Sequence, residues 1–429
     1  MKTIIQAVKG TRDFYPEAMA IRTYLYDTAR KVSESFGYQE YDAPFLETIE
    51  LYAAKSGEEL VDKQSFVFPD RGGDLITLRP ELTPSLTRMV AQRQKQLVYP
   101  VRWWSFGPFW RYERPQKGRS REFFQWNIDL FGVDTPESDA ELVAIACNYM
   151  SEVGLTPLEV QVLVNDRRLV DRELAALGLA ADLRPAVLRW IDRRSKLAPQ
   201  DWVAYGQEIG LSDEQLEHLK GLLSNEELWR KSDDLVRFFA TLEILGVREY
   251  VKYDPNIVRG LDYYTGIVFE AVDTEGDVRR SVLGGGRYNN LLADVGGDPL
   301  PGVGFAMGDM VITLLLEKYN HLPADLNKSP APILVTVFDE STILASIKLA
   351  ADLRQAGLKV NCYPEVAKLG KQMKFADRTG IQIVIVMGPD EQKNDQVTIK
   401  NLKTGEQTTL PRKEAARALR EMLEKPPSP

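Results

Sequence analysis

The chain has 429 residues, 44% of them hydrophobic and 27% charged, and a formal net charge of −8. That is the balance of an ordinary globular protein, long enough for roughly two to four domains. The acidic total excludes a general nucleic-acid coat but leaves room for a local basic patch.

The two cysteines, Cys147 and Cys362, are far apart in apolar contexts, which excludes a disulfide framework and suits a reducing cytosol. With only two histidines, His218 and His321, imidazole acid–base catalysis and a histidine-ligated metal are not expected. The N-terminus lacks the apolar core of a signal peptide. No apolar run reaches the roughly 18 residues of a membrane span, so no membrane partner is expected.

In chain order, residues 9–16 (KGTRDFYP) form a loop. Residues 17–36 have a helical pattern closed by Gly37. Residues 38–45 read as a strand interrupted by Pro44, followed by a helix to about Lys55. Residues 62–78 suggest a hairpin around Asp70–Gly73, and a helix starts near Thr83 with Pro84 in its first turn. Residues 101–132 then give the strongest strand signal. Two aromatic-rich runs flank RPQKGRS, a basic turn with Pro and Gly. Period-2 alternation puts Trp104, Phe106, Trp110, Phe124, Trp126, Ile128 and Leu130 on one face. Phe109, Arg111, Glu113, Phe123, Gln125, Asn127 and Asp129 share the other. An apolar face against a mixed polar one predicts the floor of a pocket for a polar small molecule.

A helix over 138–154 and a strand over 158–164 follow. From 166 to about 245 the pattern is almost wholly helical, with capping boxes predicted at Ser212-x-x-Gln215 and Ser224-x-x-Glu227. Strands resume at 249–253 and continue through IVRGLDYYTGIVFE, SVLGGGRYNNLL and GVGFAMGD. Residues 329–332 (SPAP) read as a linker. Beyond it strands at 333–338, 359–363 and 381–387 alternate with helices at 342–356 and 367–379, an α/β pattern with a largely parallel sheet. Strands at 396–402 and 407–410 and a helix from Arg412 complete the chain.

Taken together, these stretches resemble the histidyl-tRNA synthetase family of class II aminoacyl-tRNA synthetases. FGYQEYDAPFLE is similar to class II motif 1, FWRYERPQKGRSREFFQ to motif 2 and GVGFAMGD to motif 3. IVRGLDYYTG and LGGGRYNNLL are similar to stretches particular to histidyl enzymes. The resemblance implies an α+β catalytic domain over 1–328, an antiparallel sheet flanked by helices, with a helical insertion over 166–248. A C-terminal α/β anticodon-binding domain over 329–429 follows, and motif 1 implies a homodimer.

The resemblance also implies the reaction: L-histidine and ATP form an adenylate, and the histidyl group passes to histidine tRNA in the cytoplasm. Arg111 and Arg259 match the arginines flanking the α-phosphate, where paired guanidinium groups suit bidentate contacts. Phe123 matches the aromatic under adenine. Glu113 matches a residue near ATP and its Mg²⁺, which comes with the nucleotide and not from a protein cluster. No tightly bound cofactor is expected. Glu81, Thr83 and Gln125 match contacts to the α-amino group, and Asp129 and Tyr264 match those to the imidazole nitrogens, with Tyr263 beside them. Many family members carry Glu at the place of Asp129. Arg114, Gln116, Lys117 and Arg119 are expected to meet the tRNA acceptor end. A local +3 between residues 351 and 380 would meet its anticodon end.

In one respect the chain departs from the class. Motif 3 in most class II enzymes carries an arginine over adenine about three residues after its glycine. Here Gly308 is followed by Asp309, Met310 and Val311. Either another cation, with Arg287 the expected one, covers the base, or the base lies against apolar residues. Two other readings compete with the enzyme. One is a non-catalytic paralogue acting as regulatory subunit of ATP phosphoribosyltransferase in histidine biosynthesis. It is disfavoured because the C-terminal module and the Arg259 stretch are both present. The other is a class II enzyme for a different amino acid, disfavoured by Asp129, Arg259 and the Tyr263–Tyr264 pair.

Overall fold

The alternating 101–131 segment supplies the second and third strands of an eight-stranded sheet. Val101–Trp110 and Glu122–Phe131 pair antiparallel, with Phe109 opposite Phe123, Gly107 opposite Gln125 and Trp104 opposite Ile128. The computed structural model describes residues 4–53, 64–116, 118–194, 197–258, 263–278, 280–326 and 329–424. Two compact units emerge, Met1–Leu322 and Pro323–Pro429.

In the larger unit the sheet runs Gln39–Glu40, Val101–Trp110, Glu122–Phe131, Gly302–Gly308, Leu283–Arg287, Ile267–Asp273, Val160–Asp166, Val251–Tyr253. Its two outermost pairings are parallel and the five between them antiparallel. One face buries Trp104, Trp126, Ile128, Leu130 and Phe305 against Leu25, Ala29 and Val32 of helix Pro16–Ser35 and the apolar side of helix Pro136–Glu152. Burying large aromatics and aliphatics here stabilises by about 1.5–3 kcal/mol each.

The other face is built differently. Across the sheet, Gly107, Gln125, Gly308 and then Asn127, Ala306, Gly284 and Asp129, Gly304, Gly286 form successive cross-strand rows. Most of these positions lack a side chain beyond Cβ, so the rows leave a hollow floor over which polar groups can stand.

Beside this sheet, Leu46–Thr48, Leu75–Leu78 and Phe66–Pro69 form a three-stranded antiparallel sheet. The expected strand over 38–45 shrinks to Gln39–Glu40. Past Tyr41 the chain leaves the ladder, and Asp42 and the carbonyl of Ala43 bond the fully buried Arg79 guanidinium at 2.7 and 2.8 Å. Arg79 Nε also donates to Pro108 O at 3.0 Å, and the planar cation lies over the rings of Phe45 and Phe109.

Within the helical block, Arg167–Ala176, Arg184–Asp192, Pro199–Glu208 and Asp213–Leu222 enclose their own core. There Trp190 and Trp202 stack at 3.9 Å and exchange indole N–H bonds to each other's carbonyl. The Ser212–Gln215 capping box forms. The Ser224 box does not start a helix, because Asn225 accepts the Glu227 N–H in a tight turn. The next helix, Asp233–Ile244, is capped by Ser232 and buries Leu235, Phe238, Phe239 and Leu242 in the main core instead.

The smaller unit has a five-stranded sheet, Val360–Cys362, Ile333–Val335, Ile383–Val386, Gln396–Asn401, Gln407–Pro411. The first two pairings are parallel and the rest antiparallel. Helices Ile343–Gln355, Leu369–Arg378 and Ala415–Glu424 accompany it, with Ala350, Leu353 and Leu419 in its core. The fold is thus an α+β unit with a helical insertion and a C-terminal α/β unit.

Replacing Arg79 with Met keeps bulk but strands the carbonyls of Ala43 and Pro108. Each buried carbonyl left without its donor costs about 1–3 kcal/mol. Arg79→Met should lower the thermal midpoint of the larger unit by several degrees; an unchanged midpoint rejects this role.

Candidate active site

A cavity of about 520 Å³ opens on the glycine-rich face of the large sheet. Arg111, Glu113, Phe123 and Gln125, which the alternation predicts to share a face, all line it. So do Arg119, Arg280, Gly284, Gly308, Asp309, Met310 and Val311.

Arg111 follows the last residue of its strand, and its Nε donates to Pro80 O at 2.9 Å. This bond ties the 79–81 segment to the hairpin, and it keeps the guanidinium over the Phe123 ring at 5.2 Å. Phe123 in turn rests against buried Phe109, with ring centroids 6.0 Å apart. Glu113 is buried, and one of its carboxylate oxygens pairs with Arg119 Nε. The other, Oε1, has no hydrogen-bond partner among the described residues. A carboxylate with a free oxygen beside three arginines can bind a metal ion that also holds phosphate. Among the described residues no cluster of three or more His, Cys, Asp or Glu could hold a metal on its own.

Asp309 opens helix Asp309–Lys318 and is buried. It accepts from Arg12 Nη2 at 2.7 Å and from the Phe124 N–H at 3.0 Å. The N-terminal loop is further attached where Gly10 O accepts the N–H groups of Arg121 and Glu122 at 2.8 and 3.1 Å. The loop thereby braces the base of the hairpin on which Phe123 stands.

Further along the same face lies a second, drier group. Asp129, Tyr264 and Tyr288 are buried, and Tyr263 packs on Tyr264 at 4.8 Å. The Asp129 carboxylate lies over Gly304 and the Tyr264 ring over Gly286, and those glycines are direct cross-strand partners. Any Cβ at Gly304 would also come within 2.7 Å of Ile128 O, so the site needs glycine there. Tyr288 donates its hydroxyl to Asp129. Burial pushes the Asp129 carboxyl up to about 7, against the opposing pull of that hydroxyl. The Tyr41 hydroxyl and the Asn127 amide nitrogen are buried without partners among the described residues. Glu81 is buried at the foot of helix Thr83–Arg93, where Thr83 is half-buried.

Two expectations need correction. Arg287 does not reach the cavity. Gly284 and Gly286 face it, so the alternation turns Arg287 to the opposite side. There it is 1% exposed and bonds Asp139 at 2.7 Å, Ser138 Oγ at 2.8 Å and Val133 O at 2.8 Å. Arg119, expected on the tRNA side, turns inward to Glu113, whose buried charge needs a cation. Arg114 and Gln116 are exposed on the loop as expected. Arg259 and Lys117 lie outside the described residues. Arg280, Tyr288 and Asp309 were not singled out as site residues. Tyr288 had a signal, since it shares the parity of Gly284 and Gly286.

The histidyl-tRNA synthetase family profile matches residues 10–310, and the anticodon binding domain profile matches residues 333–422. The histidine–tRNA ligase of Haloarcula marismortui is 38% identical over 419 residues, spanning 94% of this chain and 95% of its own length. That of Leptospira biflexa is 33% identical over 451 residues, spanning 99% of each. The crystal structure of histidyl-tRNA synthetase from Nostoc sp. PCC 7120 superposes with a TM-score of 0.84 at 24% identity, over 98% of this chain and 100% of that one.

Arg287→Met should leave Asp139 buried and unpaired and lower the thermal midpoint. Adding Asp139→Leu should recover part of the loss, because removing both charges is less costly than removing one. Additive losses in the double variant reject the pairing.

Proposed function

The chain belongs to the histidyl-tRNA synthetase family, and we propose that its residues share out a histidine–tRNA ligase reaction as follows. The enzyme joins L-histidine to ATP, releasing diphosphate, and then transfers the histidyl group to its tRNA, releasing AMP. The observation that carries the assignment of roles is the single cavity that gathers Arg111, Glu113, Phe123 and Gln125. The regulatory-subunit alternative has no comparable support, since full-length relatives are ligases and the C-terminal profile is present.

The first step is attack of the histidine carboxylate on the α-phosphate. It needs alignment and stabilisation of negative charge more than proton transfer. Arg111, fixed by Pro80 O, supplies one cation beside the phosphorus. Arg259 is assigned the other. Phe123 carries the adenine ring. Glu113, through its unpartnered oxygen, would help hold the Mg²⁺ that accompanies ATP and offsets its phosphate charge.

Glu81, Thr83 and Gln125 are assigned to the substrate α-amino group. Asp129 and Tyr264 take the two imidazole nitrogens, with Tyr263 packed beside them. A substrate without either nitrogen would leave a buried polar group unpaired, which is the source of selectivity. Arg114, Gln116 and Lys117 are assigned to the acceptor end of the tRNA, with Arg119 at the cavity mouth. The basic surface around Lys368, Lys374 and Arg378 is assigned to its anticodon end. There, Lys371 is already paired with Glu365 at 2.8 Å.

Phe45, Leu46, Val67, Phe68 and Leu75 are exposed apolar side chains on or beside the three-stranded sheet. A second copy of the chain is the proposed cover, giving a homodimer. No helix among the described residues is long and apolar enough to cross a membrane. Cys147 and Cys362 are free thiols, which suits the cytoplasm as the proposed location.

Histidine-dependent ATP–diphosphate exchange tests the reading, and its absence with pure enzyme and histidine rejects it. Arg111→Ala should reduce exchange at least a hundredfold. The Asp129 carboxyl, raised to about 7, accepts a strong, charge-assisted bond from the substrate imidazole when ionised and a weaker one when protonated. The KM for histidine should therefore rise about tenfold from pH 8 to pH 6. Asp129→Asn, which cannot ionise, should bind histidine weakly and flatten that dependence; an unchanged profile rejects the assignment.

A further inference from the structure

Arg280 stands out in the cavity because nothing holds it. Its side chain is half-buried and lines the cavity, yet among the described residues it has no ion pair and no side-chain hydrogen bond. Every other arginine of the cavity is tied, Arg111 to Pro80 O and Arg119 to Glu113. Burial and the nearby charge of Arg119 both disfavour the Arg280 cation, and only Glu113 offsets them. A guanidinium kept in such a place without a partner is available for a ligand.

Its position fits one part of a nucleotide better than the rest. The sheet register sets Leu283 opposite Met307, and Met307 opposite Trp126. Arg280 lies three residues before Leu283, where this ladder begins. The middle strand stops at Gly308, where the chain turns into helix Asp309–Lys318. Past that end Phe123 and Arg280 line the same cavity, together with Met310 and Val311. A flat ring needs about 3.5 Å to each flat neighbour, and a cavity of about 520 Å³ has room for one heterocycle between a phenyl ring and a guanidinium plane. The far wall offers no competing group. Val311 is buried there, and a Cβ placed on Gly118 would meet Arg280 Cδ at 3.5 Å and Val311 Cγ2 at 4.0 Å, so the two side chains lie side by side.

We propose that Arg280 covers the adenine ring of ATP on the face opposite Phe123, stacking its guanidinium on the base from the wall where Val311 carries no charge. The proposal rests on the synthetase reading and deepens it. Planar stacking and cation–π attraction are properties of guanidinium that ammonium shares only in part.

The test uses the full-length enzyme and two ligands, ATP and adenosine, the second having the base but no phosphate. Adenosine is measured by calorimetry, and so needs no turnover. Arg280→Ala should raise the KM for ATP in histidine-dependent exchange about tenfold and weaken adenosine by a similar factor, with the KM for histidine within about twofold. Arg280→Lys should recover less than half of the adenosine loss on a logarithmic scale. Arg280→Ala combined with Val311→Arg should regain adenosine affinity from the neighbouring position. Unchanged adenosine affinity in Arg280→Ala overturns the proposal, as does full recovery in Arg280→Lys, which marks a phosphate contact instead. If the wild-type enzyme binds adenosine but shows no histidine-dependent exchange, the synthetase reading fails while the base contact is still decided by the calorimetry.

Discussion

The Arg79 guanidinium joins the two sheets of the larger unit. It is fully buried, yet its charge is met at Asp42, which is itself more than half exposed, so the pair does not bear the full desolvation cost of an interior ion pair. Its other bonds go to carbonyls on two segments, Ala43 before the three-stranded sheet and Pro108 in the central hairpin. The Arg79 backbone continues the joint, donating to Phe45 O at 2.8 Å and accepting from Trp110 N at 3.1 Å. Pro80 and Glu81 follow directly, so the carbonyl that orients Arg111 and the carboxylate assigned to the substrate amine hang from this one anchor. The joint also explains Gly107, where a Cβ would come 2.5 Å from Arg79 Nη2. The apolar face proposed to meet a second copy is thereby wired to the cavity through a rigid polar link.

Around that anchor the cavity is made by omission. Two neighbouring strands bring Gly284, Gly286, Gly304, Ala306 and Gly308 to one face of the sheet, and each lacks a side chain long enough to fill the space. Such positions weaken strands taken singly. Here the loss is offset by the opposite face, where Trp104, Trp126, Phe269 and Phe305 are almost wholly buried. A single period-2 pattern therefore supplies both the adhesive face and the vacant one. It also decides which polar groups can project into the vacancy, since only residues of the right parity do so.

That parity explains what was legible in the sequence. The hairpin, its polar face and the residues Arg111, Phe123, Gln125 and Asp129 follow from alternation, because neighbours two apart must share a side. The helical block was legible from its 3.6 period. Its division was not: helix Asp233–Ile244 joins the main core through contacts with helix Pro136–Glu152, about a hundred residues away in sequence. Arg287 was expected over the base in place of the missing motif 3 arginine, but the alternation along Leu283–Arg287 turns it toward Asp139. Arg79 looked like a passing residue before Glu81, since its partners at Asp42 and Pro108 are joined only by the fold. Arg280 lies outside the regular strand, where no periodicity speaks for it.

The charges left at the cavity then limit the chemistry it can support. Neither histidine is there: His218 is exposed on the insertion, and His321 bonds Glu159 at 3.0 Å on the far side of the sheet's core. Among the described residues, Arg111, Arg119 and Arg280 face two cavity carboxylates, Glu113 and Asp309, and Asp309 is already engaged by Arg12. Guanidinium groups do not exchange protons near neutral pH, so this set of cations cannot act by general acid–base catalysis. It can hold a polyanion, align a nucleophile and stabilise charge as it shifts from one oxygen to another. Carboxylate attack on a phosphate with loss of diphosphate asks for little more, because the nucleophile arrives ionised and the leaving group departs as an anion. Asp129, whose carboxyl burial raises to about 7, is set apart among tyrosines at the place proposed for the substrate heterocycle, and so its titration bears on the proposed recognition of the amino acid and not on the charge stabilisation assigned to the arginines.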